Sequence, residues 1–493
     1  MRGDRVRSAP PVQYAAMSKV TIETTADSTS ALSRCDLAIR APEAAGRGAW
    51  LVRAPVCIDV MGGITEHTGA TVLGTPSALS VMVAVKGRTD QTLGLWMVPS
   101  ESRAQRQPAT REWPLSVFYA DIGRLQSPDE LLEHIGPLSA PESAALSAVH
   151  AMLASGQLPH LGGGINIAVE SPRRPLVESV ASIQAATAAA VAKQFGQEVD
   201  RARIAACCRL GHNAFERRPV GPAMHLQCLA AQPGALLQVC SASHKLAGAL
   251  DVPEGATIIG IDCGMRHQRA DEKHTHAWVA ALMGRDIIRI IAQRMNGRMG
   301  GLSHDWDGML ARLSVTDYVD HIRDHLPTKV KGSAFIERFG QLKERGARID
   351  PSATYKVRSR AEHHIYDNER VRQFAERMAR ANRTHDPKAV AESGELMYAS
   401  HWSYGQRCGL GSIATDQLVY LLRKHGHKRG VLGARICGPG AGGCVAALVE
   451  STPTARQAVD TAIDAYQSQS GRKVYTFQTG RTQTRPFAIY HND

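Results

Sequence analysis

Four glycines within six residues, Gly438-Pro439-Gly440-Ala441-Gly442-Gly443, separate two apolar runs, Ala434-Arg435-Ile436-Cys437 and Cys444 to Val449. The runs read as strands, and a loop this poor in side chains leaves its backbone open to close approach. Such a strand-loop-strand unit commits part of the chain to a sheet. Taken alone it is equally an ordinary turn.

The rest of the sequence extends the pattern. Ala49-Trp50-Leu51-Val52, Ser80 to Val85 and Gly164 to Glu170 read as strands, and Val474-Tyr475-Thr476-Phe477 reads as the strand that closes the chain. Helices are expected at Glu142 to Ser155, Ala277 to Gln293, Val371 to Met378 and Thr454 to Tyr466. The most regular is Val177 to Phe195, an Ala-rich run with Gly196 placed to end it. Strands and helices mix without strict alternation, which favours an α+β class over a doubly wound sheet.

With 493 residues the chain exceeds the size at which a single core keeps growing, so two domains are expected. Residues 1 to 45, rich in Ser, Ala, Thr and Arg, read as a disordered leader, with Met17 an alternative start. The division that follows is 46 to 245 and 246 to 493. No stretch reaches 18 uninterrupted apolar residues and no signal-like segment opens the chain, so a cytoplasmic location without membrane contact is expected. The ten cysteines include no CxxC pair and read as reduced, mostly buried thiols.

A net charge of +12 allows a nucleic-acid partner on electrostatic grounds. The charge is dispersed, however, and aromatics make up 5% of residues, too few for a stacking surface. Nucleic acid is therefore not expected. The densest basic run, Arg423 to Arg429, is placed at a helix end and the following loop.

Two more segments stand out. In Arg53 to Gly69, the pair Gly62-Gly63 precedes Glu66-His67, so a carboxylate and an imidazole follow a turn that can approach a ligand. In Pro172 to Ser182, a loop with Arg173 and Arg174 opens the Ala-rich helix, and free N–H groups at a helix start favour phosphate. The plain readings are a strand turn and an ordinary helix cap. The histidine pairs His274/His276, His363-His364 and His425/His427 lack the spacing of a zinc site and read as structural or surface residues.

In order, the three glycine- and serine-bearing segments resemble the motifs of the GHMP small-molecule kinases, closest to the galactokinase and arabinokinase branch. Further segments match that branch in order, among them Gly260 to His267, Met283-Gly284-Arg285, Ile349-Asp350-Pro351, His364 to Asn368, Ser400 to Tyr404 and Cys408 to Ser412. The resemblance spans roughly residues 48 to 485. It implies a two-lobed α+β fold, with an N-terminal lobe of ribosomal protein S5 domain 2-like type and a ferredoxin-like C-terminal lobe. It further implies ATP and Mg²⁺ as cofactors and a monosaccharide of galactose or arabinose type, phosphorylated at its anomeric hydroxyl. Carried over by position, Asp59, Gly62, Gly63, Glu66 and His67 contact the sugar. Ser179, Ala181, Ser182, Gly438, Gly440, Gly442 and Gly443 surround the nucleotide, and Ser179 also holds the metal.

Several positions depart from the family. Its Gly-Arg pair is Val56-Cys57 here, which puts a thiol where a guanidinium is expected. Of three consecutive phosphate-loop serines only Ser179 remains, Glu178 adds a negative charge, and Gln184 replaces a metal-supporting Glu. The catalytic Asp falls on His225 or Met224, depending on a one-residue gap. A neutral His225 is the candidate base, since imidazole accepts a proton near pH 7. The alternative reading is a sugar- or nucleotide-binding relative with impaired catalysis, acting as a sensor or scaffold.

Overall fold

The computed structural model describes residues 37–99, 108–121, 124–158, 160–172, 177–216, 220–265, 270–296, 306–344, 346–438, 440, 442–482 and 484–492. Most of the leader, Arg173 and Arg174 lie outside them. Residues 37–45 form two short helices, Leu37–Arg40 and Pro42–Ala45. Leu37, Ala41, Ala44 and Ala45 are buried there with Ala49, Leu51 and Ala84 of the first strands.

Two sheets carry the fold. The larger runs Ala488–Asn492, Ala49–Met61, Thr71–Gly87, Ile165–Ser171, Thr92–Pro99, Ala109–Pro114, with Ala235–Cys240 and Lys245–Asp251 branching from Thr71–Gly87. All its pairs are antiparallel except Thr92–Pro99 with Ile165–Ser171. The smaller is wholly antiparallel, in the order Val431–Ile436, Cys444–Glu450, Ala256–Asp262, Tyr475–Gln478. The absence of a parallel series follows from the irregular strand and helix order read in the sequence.

The expected strands and helices are present, several longer than their apolar runs. Ala49–Met61 is 13 residues, and the helix containing Val371 to Met378 spans Val357–Thr384. The run Arg423 to Arg429 does end a helix, Ile413–His425, and begin the next turn. One expectation is corrected. The final strand is Ala488–Asn492, which pairs antiparallel with Ala49–Arg53, and not the strand around Tyr475. Its few residues carry no signal of their own, because a partner more than 430 positions away supplies the ladder.

Val177–Gln194 packs on Ala49–Met61 and Thr71–Gly87, and its alanines let the helix axis approach the sheet. Gly196, at φ 67°, turns the chain after it, and the Gly196 and Gln197 amides bond the Lys193 and Ala192 carbonyls. Nine cysteines are described, all as free thiols, and eight of them are buried. Among the described residues, no helix is long and apolar enough to cross a membrane.

Candidate functional site

The first motif sits where the long first strand becomes irregular. Its register with Thr71–Gly87 shifts between Pro55 and Cys57 and again between Asp59 and Met61. Bulges bend a strand and re-aim its side chains. The freed carbonyls are taken by neighbours: Ser182 Oγ donates to Pro55 O at 2.8 Å and Ser77 Oγ to Val56 O at 2.7 Å. The strand then passes through Gly62 and Gly63, at φ 109° and 50°, into the turn Gly63–Thr68.

Asp59 closes this turn against the glycine loop. Its carboxylate accepts from Gly63 N at 3.2 Å, Gly438 N at 2.9 Å and Arg435 Nη1 at 3.0 Å. Burial pushes its carboxyl pKa up, against the lowering effect of Arg435 and the two N–H groups. Asp59 was expected at the sugar. Its bonds instead join the first and third motifs, which stand next to each other in the structure as the family resemblance implied.

Glu66 and His67 are half-buried on the same turn. Glu66 accepts from Gly221 N at 3.1 Å and Ala223 N at 3.3 Å, the start of the helix Ala223–Leu229. Burial lifts its pKa to about 7, although both N–H groups favour the charged form. His67 lies 5.3 Å from the ring of His274 and 5.4 Å from that of Trp278, both buried on the helix Ala270–Asn296. A carboxylate and an imidazole thus stand on adjacent residues of one turn, a donor and acceptor set suited to hydroxyls.

The expectation for His225 is corrected. It is fully buried, and Nε2 lies 2.8 Å from Gln184 Oε1. Gln184 donates its own amide nitrogen to Ser147, so its oxygen faces the ring and Nε2 is the protonated nitrogen. The basic nitrogen, Nδ1, has no hydrogen-bond partner in the closed interior. Burial, then His212 and Arg209, push the pKa down to about 3. Such a group neither reaches an acceptor hydroxyl nor holds a proton near pH 7. Met224 is the one residue of the helix that is partly exposed, and it directly follows the amide bound to Glu66. Of the two candidates, Met224 and not His225 is therefore the one with exposed surface.

The nucleotide-side expectations fare unevenly. Ser179, Ala181 and Ser182 are all buried, and Ser182 is committed to Pro55. Ser179 is fully enclosed, so its expected role as a metal ligand is corrected: an oxygen without exposure offers nothing to an ion in the cleft. In the glycine loop, Gly438 and Gly440 adopt φ 62° and 82°, and a side chain on Gly442 would meet nothing within 4 Å. Open backbone of the kind found at Gly442 can admit a phosphate group. Among the described residues no group of three or more His, Cys, Asp or Glu side chains could hold an ion, and Gln184, at the position of the expected metal-supporting Glu, is neutral and engaged.

Cys57 is 4% exposed, and burial, with Cys228 nearby, raises its pKa well above the ordinary thiol value. The family's arginine position is therefore occupied by a neutral group. Sequence reasoning missed Arg435 and Tyr404. The one available signal was an arginine inside the otherwise apolar run before the glycine loop. Tyr404 was quoted without a role, and nothing local marks it.

The buried histidines set a pH limit on stability. Burial holds His363 and His364 well below the usual imidazole range and pushes His225 down to about 3. In the unfolded chain each titrates near about 6.5. As pH falls through that value the unfolded state takes up protons that the folded state refuses, so stability declines. At pH 6 the expected loss relative to pH 7.5 is about 0.8 kcal/mol for each of the three histidines. Glu66, with its pKa raised to about 7, offsets roughly 1 kcal/mol of their sum by taking up a proton in the folded state, leaving a net loss of about 1 kcal/mol. Urea midpoints at the two pH values measure it, and a midpoint that rises on acidification contradicts it.

Comparison with known proteins gives the same picture. Residues 378–467 match the family model described as GHMP kinases C terminal. The chain is 26% identical over 471 residues to the L-arabinokinase of Arabidopsis thaliana, covering 86% of this chain and 45% of that protein. It thus spans less than half the length of that relative. Among solved structures, Lactococcus lactis galactokinase complexed with galactose superposes with a TM-score of 0.66 at 16% identity, over 94% of this chain and 100% of that one. Methanococcus jannaschii mevalonate kinase follows at TM-score 0.50 and 12% identity, over 87% and 98%. The matched C-terminal family model, the L-arabinokinase relative and the galactokinase-like fold together support a GHMP kinase of the galactokinase and arabinokinase-like branch.

Proposed function

We propose that this chain is an ATP-dependent sugar kinase that transfers the γ-phosphoryl group to the anomeric hydroxyl of a monosaccharide of galactose or arabinose type. The observation that carries this reading is the meeting of Glu66 and His67, on the turn after Gly62-Gly63, with the Gly438–Gly443 loop through Asp59. Residues 46 to 245 and 246 to 493 form the two lobes in this reading, with Ala488–Asn492 completing the first lobe's sheet, and the location is cytoplasmic. ATP, when bound, supplies the phosphoryl group. The chain's part is to hold the acceptor hydroxyl and order the loop beside the phosphates, because transfer depends on positioning and charge stabilisation. Mg²⁺, when bound with ATP, would neutralise phosphate charge, and no step is routed through it.

Glu66 gives this reading a pH signature. The ionised carboxylate accepts a hydroxyl's hydrogen bond more strongly than the neutral acid. With its pKa at about 7, sugar affinity is expected to rise with pH from about 6 to 8. Calorimetric titration with D-galactose and L-arabinose at pH 6, 7 and 8 measures the slope. In Glu66→Gln the slope should vanish, and persistence of the same slope would remove Glu66 from the sugar site.

A second reading, binding without turnover, rests on the residue types alone. Cys57, Gln184 and Met224 are all uncharged where the family carries Arg, Glu and Asp. Incubation with ATP, Mg²⁺ and a panel of free pentoses and hexoses separates the two. Sugar-dependent ADP release supports the kinase. Saturable sugar or ATP binding without release supports the binding protein.

A further inference from the structure

Tyr404 is fully buried, far from the chain's ends, and touches both sides of the cleft. It opens the π-helical turn Tyr404–Cys408 that continues the helix Pro387–Ser403, and insertions of this kind recur at functional sites. Its hydroxyl accepts from Ile64 N at 2.8 Å and lies 3.2 Å from Gly62 O and 3.1 Å from Gly438 O. With one proton to give, it shares that proton between two carbonyls on two different motifs.

The glycines surrounding it are explained by this residue. A Cβ on Gly63 would stand 1.9 Å from the Tyr404 hydroxyl, and one on Gly440 would stand 2.9 Å from the ring. Of the Gly62-Gly63 pair, which reads in sequence as room for a ligand, Gly63 makes room for the tyrosine, and Gly62 packs against Val72. Arg435, also fully buried, stacks its guanidinium 5.0 Å from the ring centroid and bonds Asp59. His363, whose Nδ1 is 2.9 Å from Ser403 Oγ, meets the ring edge-on at 4.6 Å.

We propose that Tyr404 is a positioning residue that couples the acceptor side of the cleft to the glycine loop, so that ordering Gly62–Thr68 and ordering Gly438–Gly443 are one event. The hydroxyl is the coupling atom, since all three of its polar contacts are backbone groups of the two motifs. Ion pairing between Asp59 and Arg435 sets the distance across which it acts. A ligand held by either segment therefore lowers the ordering cost for a ligand at the other. That consequence rests on the kinase reading of the two segments, while the coupling itself does not.

Hydrogen exchange tests the coupling with no ligand present. In the unmodified protein at low urea, the amides of 62–68 and 438–444 are expected to open with one common free energy and one denaturant slope. In Tyr404→Phe, which keeps the ring, exchange in both segments should accelerate together by about tenfold, while Val177–Gln194 is unchanged. Adding a non-hydrolysable ATP analogue should slow both segments in the unmodified protein and only 438–444 in the variant. Distinct opening energies for the two segments in the unmodified protein would overturn the proposal, whether or not the variant folds. So would acceleration of one segment alone. If the analogue protects neither segment while their openings remain joined, the nucleotide reading fails and the coupling stands.

Discussion

Met224→Asp is expected to raise sugar-dependent ADP release by about 10²- to 10⁴-fold, the usual contribution of a positioned general base. Met224 is the only partly exposed residue of the helix Ala223–Leu229, and the amide before it is bound to Glu66. A carboxylate there stands beside the group proposed to hold the sugar. His225→Asp, the replacement that sequence alignment alone would favour, should do the opposite. It puts an acid into the fully buried site that a neutral imidazole shares with Gln184. A buried ionisable group without a cationic partner costs several kcal/mol or stays protonated, so this variant is expected to lose stability and gain no activity. Progress curves for ADP release, with urea midpoints on both variants, decide between the two positions. A gain from His225→Asp and none from Met224→Asp would reverse the assignment.

Asp59→Asn is expected to cost about 3–5 kcal/mol of stability, the usual penalty for stranding one member of a buried ion pair. Arg435 is fully buried, its Nε and Nη2 already have no hydrogen-bond partner, and Asp59 is the carboxylate that meets its Nη1. The pair is a poor source of net stability, because burial raises the Asp59 pKa in spite of the arginine beside it. Its value is geometric, since it fixes where the glycine loop meets the first motif. It follows that Asp59→Leu combined with Arg435→Met should recover part of the lost stability, the Gly63 and Gly438 N–H groups being left without their acceptor, while the exchange protection shared by 62–68 and 438–444 disappears. Chemical denaturation of the single and double variants measures the first effect. A single variant as stable as the unmodified protein would show that the buried charge has another partner.

The elements of the fold were legible wherever an apolar run was bounded by turn residues, as at Ala49, Val177 and Cys444, because local burial sets those patterns. Contacts between distant segments were not. The strand Ala488–Asn492 is defined by its pairing with Ala49–Arg53, and Tyr404 by bonds to residues 340 and 34 positions away. At the site, motif order correctly brought the first and third segments together. The purpose of their residues was read less well. Gly62 and Gly63 were assigned to a ligand although Val72 packs against the first and Tyr404 against the second, and Asp59 to a sugar although it binds Arg435. His225 was preferred to Met224 on its chemistry alone, since residue type does not tell which way a seven-residue helix faces.

What the fold preserves and what the site has lost now lie close together. The turn, the loop and their connection are intact, whereas the charges that usually drive transfer are absent at positions 57, 184 and 224. Some transfer survives loss of a base when positioning remains, which is why low activity and not zero is expected. The direct test is ADP release by the unmodified protein with ATP, Mg²⁺ and each of a panel of free sugars. The expected result is slow, saturable release that depends on one sugar of galactose or arabinose type and increases in Met224→Asp. Release that is independent of every sugar, in both the unmodified protein and Met224→Asp, would contradict it.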